Sequence, residues 1–220
     1  MPNFFDLNVH ARPETDVPVE DLWRIAKRYG YAGIAITNHN EIVNTVSRSI
    51  FRGVEIRASS VAELKRKIRL YGGKVPLLAV HGGDTKINRA ALEDPRVDVL
   101  AHPCGEKGDG ELNHVLVRYA AENGIALDFN LNAILHTRRG DRARILAKMR
   151  ENLKLVRKYK APGIITSNAH SLYDLKAPRE MIAVASLFGM RKEEAVHALS
   201  DIPEGILAKK WKKEKDEEIL

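Results

Sequence analysis

Several features that would assign this chain to common protein classes are missing from its sequence. The 220 residues include one cysteine, Cys104, so an internal disulfide and a zinc site built from several thiolates are excluded. There is no apolar run of about 18 residues and no charged-then-apolar leader, so we expect neither membrane insertion nor secretion and place the protein in the cytoplasm. No GxGxxG or P-loop motif follows the first predicted strand, which removes the usual reason to expect a nucleotide-binding open sheet.

Glutamine is also absent, whereas charged residues make up 30% of the chain, a composition typical of thermophile proteins. The net charge is +7, but it is unevenly distributed. Residues 138–160 hold ten basic side chains against two acidic ones, a net +8, so the rest of the chain sums to −1. A basic excess confined to one segment indicates a surface for a polyanion.

Strand-like and helix-like segments alternate through nearly the whole chain. Strands are predicted at 4–9, 33–37, 53–57, 75–80, 97–101, 125–130 and 163–166, and several are continuous apolar runs typical of a parallel sheet covered on both faces. Helices are predicted at 19–29, 60–72, 87–93, 111–122, 141–159, 178–188 and 192–199. These βα units predict an α/β fold, a single distorted TIM-like barrel of about seven parallel strands surrounded by helices. We assign it to 1–205 and expect 206–220 to be a frayed, charged tail.

Six of the eight histidines lie at, or shortly after, the ends of short apolar runs: His10, His39, His81, His102, His136 and His170. In a barrel of alternating strands and helices, these positions line one shared face. Imidazole and carboxylate groups there are the ligands of metal-dependent hydrolases. The candidate ligands are His10, His39, Glu55, His81, His102 and His170. The alternative interpretation is that they are buried histidines satisfied by hydrogen bonds, or simple loop residues.

Asparagine recurs beside these histidines, in Asp6-Leu7-Asn8-Val9-His10, Thr37-Asn38-His39-Asn40 and Ser167-Asn168-Ala169-His170. With Gly53-Val54-Glu55-Ile56, these segments resemble the four signature segments of the polymerase-and-histidinol-phosphatase (PHP) hydrolases, a family of distorted seven-stranded barrels. The resemblance implies histidine or aspartate ligands where this chain has Asn8, Asn38 and Asn168. An amide supplies a neutral oxygen but no negative charge, so the sequence argues against a working multi-metal phosphoesterase.

The segments at 5–10, 33–39 and 166–170, in a basic barrel of this length, also resemble the component 3 family of archaeal ribonuclease P protein subunits. The resemblance covers roughly residues 4–199. It implies a non-catalytic subunit that supports a catalytic, magnesium-requiring RNA in removing the 5′ leader from precursor tRNA. It also implies a small ferredoxin-like protein partner, component 2, in a two-plus-two complex, and no cofactor bound tightly by the chain itself.

The predicted helix from residue 141 carries most of the basic excess. On a helical wheel, Ile145, Leu146, Met149, Leu153 and Val156 share one face, which leaves the basic side chains on the other. We predict RNA contacts from Arg138, Arg139, Arg142, Arg144, Lys148, Arg150, Lys154, Arg157 and Lys158, and from a second cluster at Lys65 and Arg66. A merely solvated amphipathic helix is the simpler alternative.

Two other functions remain open from sequence alone. A working metal-dependent phosphoesterase of the PHP type needs tightly bound metal at the six candidate ligands. A protein-interaction barrel needs an acidic protein, instead of RNA, on the basic helix.

Overall fold

The computed structural model describes residues 2–44, 47–105 and 112–217. Its strands are β1 Phe4–Val9, β2 Tyr31–Ile36, β3 Ile50–Ile56, β4 Leu77–His81, β5 Val99–Ala101, β6 Ala126–Asn130 and β7 Gly163–Thr166. Its helices are α1 Val19–Tyr29, α2 Val61–Tyr71, α3 Thr85–Leu92, α4 His114–Asn123, α5 Asn132–His136, α6 Arg139–Tyr159, α7 Pro178–Ser186, α8 Lys192–Leu199 and α9 Asp201–Glu217.

The seven strands are parallel and lie side by side in chain order, from β1 to β7. The two edges meet at the carboxyl end, where Val9 forms a parallel bridge with Ala169 and the His10 amide donates to the Ala169 carbonyl at 2.8 Å. The sheet is thus a nearly closed barrel. The predicted fold class, a distorted TIM-like barrel of seven parallel strands surrounded by helices, is confirmed.

Apolar strand residues fill both faces of the barrel wall, as the continuous apolar runs predict. Phe5, Leu7, Leu77 and Val99 belong to an inner cluster, and Val54, Ile56, Leu78 and Val80 pack outward against helices. Both faces of each strand are therefore covered, as in other parallel sheets.

Helix boundaries follow the chemistry of their end residues. Helix α2 begins after Ser60, whose hydroxyl accepts from the Glu63 amide at 3.2 Å. Helix α1 ends at Gly30, which has a φ of 95° in the left-handed region that glycine adopts at little cost. Both ends agree with the sequence-based prediction.

The carboxyl-terminal boundary differs from the prediction. Helix α9 runs through Glu217, and Ile206 and Leu207 are buried in the inner cluster with Phe5 and Leu7. A tail beginning at residue 206 is therefore wrong, because these two apolar side chains close the amino end of the barrel. The charged residues that follow Ile206 and Leu207 in the sequence favoured the prediction of an exposed tail.

Smaller differences concern element bounds. Strand β3 begins at Ile50, three residues before the predicted start, because Ile34 of β2 pairs with it. The short helix α5 was not predicted, and residue 111 of the predicted helix at 111–122 lies outside the described residues. Among the residues that the structure describes, no helix combines the length and apolar character needed to cross a membrane.

Candidate functional site

Five histidine rings meet at the carboxyl end of the barrel and are called here the histidine cluster: His10, His39, His81, His102 and His170. Three of them lie at or directly after the ends of β1, β4 and β5, and the other two follow β2 and β7. His10 stacks on His170 with ring centroids 4.2 Å apart and on His39 at 4.8 Å. His81 lies 5.2 Å from His39 and 4.5 Å from His102 by the same measure. The parallel strands thus bring together side chains separated by up to 160 residues.

Glu55, in β3, occupies the centre of this cluster and is fully buried. Its Oε1 lies 2.6 Å from His81 Nδ1 and 3.5 Å from both His39 Nε2 and His102 Nε2. Burial alone would raise the pKa of Glu55, but the neighbouring imidazoles of His102, His39 and His81 outweigh it and hold this pKa well below its usual range. Glu55 is therefore a buried carboxylate surrounded by imidazoles.

Glu14, in the loop after β1, is a second carboxylate at the site and was not predicted from the sequence. Its Oε1 lies 2.5 Å from His39 Nδ1, and its Oε2 lies 3.1 Å from His10 Nδ1. Burial opposes ionisation of Glu14, yet the hydrogen bonds from His10 and His39 lower its pKa strongly. Burial likewise disfavours a charged His39, but Glu14 and Glu55 raise the pKa of His39 to about 9. The only sequence signal for this contact is the four-residue spacing between His10 and Glu14.

The three asparagines occupy the positions that the PHP resemblance assigns to metal ligands, and all are hydrogen-bonded. Asn8 donates to Glu55 Oε2 at 2.9 Å and accepts from the Thr37 hydroxyl at 2.9 Å. Asn38 accepts from the Ala11 amide and donates to the Ala11 carbonyl, each at 2.8 Å. Asn168 Oδ1 lies 3.0 Å from His10 Nε2. Each of the three amides is thus held by hydrogen bonds within the protein.

Backbone strain also concentrates at this end of the barrel. His102 and Asn168 have φ values of 49° and 46°, and Asn40, in the loop after β2, has 56°. The left-handed region costs a non-glycine residue of order 1 kcal/mol, and such residues cluster at functional sites. Packing and hydrogen bonds around the strand ends hold these residues in a conformation that is unfavourable by itself.

A cavity of about 370 Å³ opens above the histidine cluster. Its wall includes His39, His81, His102 and His170, and also His136 and Arg57. His136 is exposed and pairs with Asp174 at 2.8 Å, so it takes part in the rim of the cavity and not in the central group. Arg57, which directly follows β3, was not predicted and adds a cation to the cavity wall.

The basic helix α6 packs as the wheel predicts, with Ile145, Met149 and Leu153 buried. Several of its cations have partners within the protein. Arg157 forms two hydrogen bonds to Glu194 of α8, at 2.9 and 2.7 Å, and a third to the Gly189 carbonyl. Arg150 donates to the Leu187 carbonyl at 3.2 Å. These side chains fasten α6 to the α7–α8 region, a tertiary role that helix periodicity does not reveal.

Other predicted RNA-binding residues are held less firmly. Lys154 pairs with Glu151 and Arg144 with Asp141, both across the exposed helix surface. Arg142 donates to the Thr137 carbonyl at 2.9 Å, next to the cavity wall. Arg138 and Arg139, at the start of the helix, and Lys158, near its end, are exposed, and Lys148 is half-buried. The exposed charge at the helix start lies beside the cavity.

Lys65 and Arg66 are exposed on α2, which is separated from α6 around the barrel by α3 and α4. They therefore form a second surface, distinct from the one at the start of α6.

The fold and the site define an α/β barrel of seven parallel strands whose carboxyl-end mouth gathers five histidines beside three hydrogen-bonded asparagines. The fold matches the crystal structure of a histidinol phosphate phosphatase from Lactococcus lactis in complex with zinc, L-histidinol and phosphate. The TM-score is 0.59 at 12% identity, over 91% of this chain and 98% of that one.

More specific matches come from the sequence. The sequence model of the RNase P subunit p30 family matches residues 3–215, and the chain belongs to this family. Ribonuclease P protein component 3 of Methanococcoides burtonii is 45% identical over 214 residues, or 94% of this chain and 88% of that protein. The same component of Methanothermobacter thermautotrophicus is 41% identical over 218 residues, covering 93% and 88%. A chain in an archaeal ribonuclease P structure with mature tRNA matches with a TM-score of 0.76 and 23% identity, covering 93% and 90%.

Proposed function

We propose that this chain is a protein subunit of ribonuclease P that binds the catalytic RNA and supports removal of the 5′ leader from precursor tRNA. The family match over residues 3–215 is the observation that carries the proposal. In this function the reacting groups and the required magnesium belong to the RNA, and the chain contributes binding surface. The proposed protein partner is the small ferredoxin-like component 2, in a two-plus-two complex, and the proposed compartment is the cytoplasm.

Reconstitution tests this function. Ribonuclease P RNA, precursor tRNA and magnesium are combined with or without the chain and its component 2 partner, and release of the 5′ leader is followed. We expect cleavage to require the RNA and to accelerate when both proteins are added. A chain that leaves the rate unchanged at any protein concentration contradicts the proposal.

We further propose that the RNA contacts lie on α6, centred on Arg138 and Arg139. Both side chains are exposed at the helix start, and the neighbouring cavity wall adds Arg57. Binding of a cation to a phosphate releases condensed counterions from the RNA. Removing one such cation therefore reduces the slope of log affinity against log salt by roughly 0.7–0.9.

A matched pair of variants tests this surface. Arg138→Glu with Arg139→Glu is expected to weaken binding to ribonuclease P RNA and to flatten its salt dependence, measured by filter binding. Lys27→Glu with Arg28→Glu makes the same charge change on the exposed surface of α1 and serves as the control. Equal losses in both double variants would show that net charge, and not this surface, determines affinity. Lys65→Glu with Arg66→Glu measures the contribution of the second surface in the same assay.

The metal-dependent phosphoesterase is the weaker candidate. Asn8 presents an amide N–H to Glu55 Oε2, and His10 has a partner at both ring nitrogens. These contacts occupy atoms that a multi-metal centre would need as ligands.

A further inference from the structure

One aromatic ring near the mouth of the barrel is almost fully exposed. Tyr173, in the loop between β7 and α7, is 88% exposed, the highest value among the large apolar side chains that the structure describes. A tyrosine ring usually buries much of its surface. Single exposed apolar side chains are common on proteins, so a role for Tyr173 depends on its loop and its neighbours.

The loop that carries Tyr173 is firmly held on both sides of the ring. Leu172 packs against a cluster that includes buried residues of α1 and β2. Asp174 is itself buried, and its carboxylate accepts from the Ser171 hydroxyl at 2.8 Å. Among residues 171–177, Tyr173 alone is exposed. A ring that is already fixed loses little conformational freedom when a ligand binds to it, so this loop presents Tyr173 in a form suited to binding.

The same loop is joined to the start of the basic helix. Asp174 pairs at 2.8 Å with Nε2 of His136, the last residue of α5. Tyr173 directly precedes Asp174, and Arg138 lies two residues after His136. The exposed ring and the exposed arginines, Arg138 and Arg139, therefore occupy neighbouring parts of one rim.

A further cation lies on the loop of the exposed ring. The Lys176 ammonium donates to the Tyr173 carbonyl, and the Lys176 carbonyl accepts from the Tyr31 hydroxyl at 2.9 Å. An ammonium group has three donors, so the contact with one carbonyl leaves capacity for a phosphate. Cations from two elements thus accompany the Tyr173 ring.

An exposed aromatic ring beside cations is the arrangement that recognises single-stranded RNA. The base stacks on the ring, and the phosphates pair with the cations. A base inside a duplex already stacks on its neighbours and cannot use the ring, so such a site favours an unpaired nucleotide.

We propose that Tyr173 is a stacking platform for an unpaired nucleotide of RNA, whose phosphates contact Lys176, Arg138 and Arg139. This inference rests on the proposed RNA-binding function and adds to it a preference for an unpaired base. The basic segment by itself predicts contacts with the RNA backbone only. The nucleotide belongs either to ribonuclease P RNA or to precursor tRNA, since both offer the same chemistry.

Fluorescence anisotropy of the full-length chain with each of these two RNAs tests the stacking site. Tyr173→Ala is expected to weaken binding to one of them by about 10-fold or more. The slope of log affinity against log salt should stay unchanged, because no charge is removed. Tyr173→Trp should keep the affinity, since it keeps a stacking ring. Tyr29→Ala, which removes a partly exposed ring from α1, is the control and should have no effect.

Unchanged affinity of Tyr173→Ala for both RNAs overturns the proposal. So does a loss in Tyr173→Trp as large as that in Tyr173→Ala, or an equal loss in Tyr29→Ala. The Arg138→Glu, Arg139→Glu double variant separates this inference from the proposed function. Weaker binding in that variant but not in Tyr173→Ala removes the stacking site and leaves RNA binding in place, whereas an unmodified chain that binds neither RNA overturns both.

The reconstituted enzyme distinguishes the two sources of the nucleotide. Weaker assembly of the Tyr173→Ala chain with ribonuclease P RNA supports a nucleotide of the catalytic RNA. A higher KM for precursor tRNA, with assembly unchanged, supports a nucleotide of the substrate. Assembly and KM that both equal those of the unmodified enzyme overturn the stacking site.

Discussion

At the residue scale, the barrel mouth shows what an amide does in place of a charged ligand. Asn8, Asn38 and Asn168 keep a hydrogen-bonding atom at each position while removing negative charge or a proton-accepting ring. Two carboxylates, Glu14 and Glu55, lie within hydrogen-bond distance of the imidazole rings. The site is therefore held by ion pairs and hydrogen bonds within the protein.

Asp6 gives a pH-dependent prediction at this scale. It lies fully buried in β1, and burial raises its pKa from 3.8 to about 6, against hydrogen bonds from Ser167 and Asn8 that lower it. The folded state thus holds the proton more tightly than the unfolded chain, so the stability from Asp6 is present at low pH and lost as pH rises through about 6.

Asp6→Asn removes this titration. We expect the free energy of unfolding of the variant, relative to that of the unmodified protein, to increase by about 2 kcal/mol between roughly pH 4.5 and 7.5. Urea unfolding at several pH values measures it, and the comparison cancels the titration of all other groups. A difference that stays constant with pH contradicts the raised pKa.

The histidine cluster was largely accessible to sequence reasoning, whereas its supporting residues were not. Strand-end positions follow from the alternation of βα units, so His10, His39, His81, His102 and His170 converge as expected. Glu14 lies in a loop whose path depends on tertiary packing. Arg57 follows its strand directly, but a single arginine there has no distinguishing pattern.

At the scale of elements, α6 combines two roles on one polar surface. Its apolar side packs on the barrel, and part of its basic side fastens neighbouring helices through Arg157 and Arg150. Helix periodicity separates the apolar from the basic side, but it does not distinguish a cation that is hydrogen-bonded to a neighbouring helix from one that is not.

Arg157→Ala is expected to destabilise the protein by about 1 kcal/mol, because it removes a bidentate ion pair with Glu194 and a hydrogen bond to the Gly189 carbonyl. Lys154→Ala, which removes an exposed pair with Glu151, is expected to change stability by less than about 0.5 kcal/mol. Thermal unfolding compares the two. Equal effects would mean that Arg157 does not fasten α6 to α8.

Helix α9 completes the barrel at its amino end. Ile206→Ala and Leu207→Ala should each cost about 2–5 kcal/mol, since each removes apolar side-chain volume from the inner cluster. Lys209→Ala, on the exposed side of the same helix, is the control and should cost less than about 0.5 kcal/mol. Wild-type stability in both core variants would restore the idea of a frayed tail from residue 206.

The regular elements were predicted best where pattern alone determines them. Strands β1 and β7 and helices α1 and α8 have the predicted bounds, because apolar runs and end residues mark them locally. The start of β3 and the role of α9 depend on partners distant in the chain. Contacts between residues distant in the chain cannot be predicted from the local sequence pattern.

At the scale of the whole molecule, a nearly closed barrel carries its excess charge on one segment. Residues 138–160 have a net charge of +8 within a total of +7. This arrangement suits a scaffold that binds a polyanion through its surface, with the barrel as a rigid support. The function proposed above accordingly assigns RNA binding to this chain and no chemistry to its histidine cluster.

Leader release by the reconstituted enzyme containing the His81→Ala chain tests this central claim most directly. Circular dichroism and RNA binding first establish that the variant is folded and assembled. We predict a cleavage rate within about twofold of the unmodified enzyme, because His81 contacts Glu55 inside the barrel and takes no part in the reaction. A fall of about 100-fold or more with RNA binding intact would place the chemistry in the protein and contradict the claim.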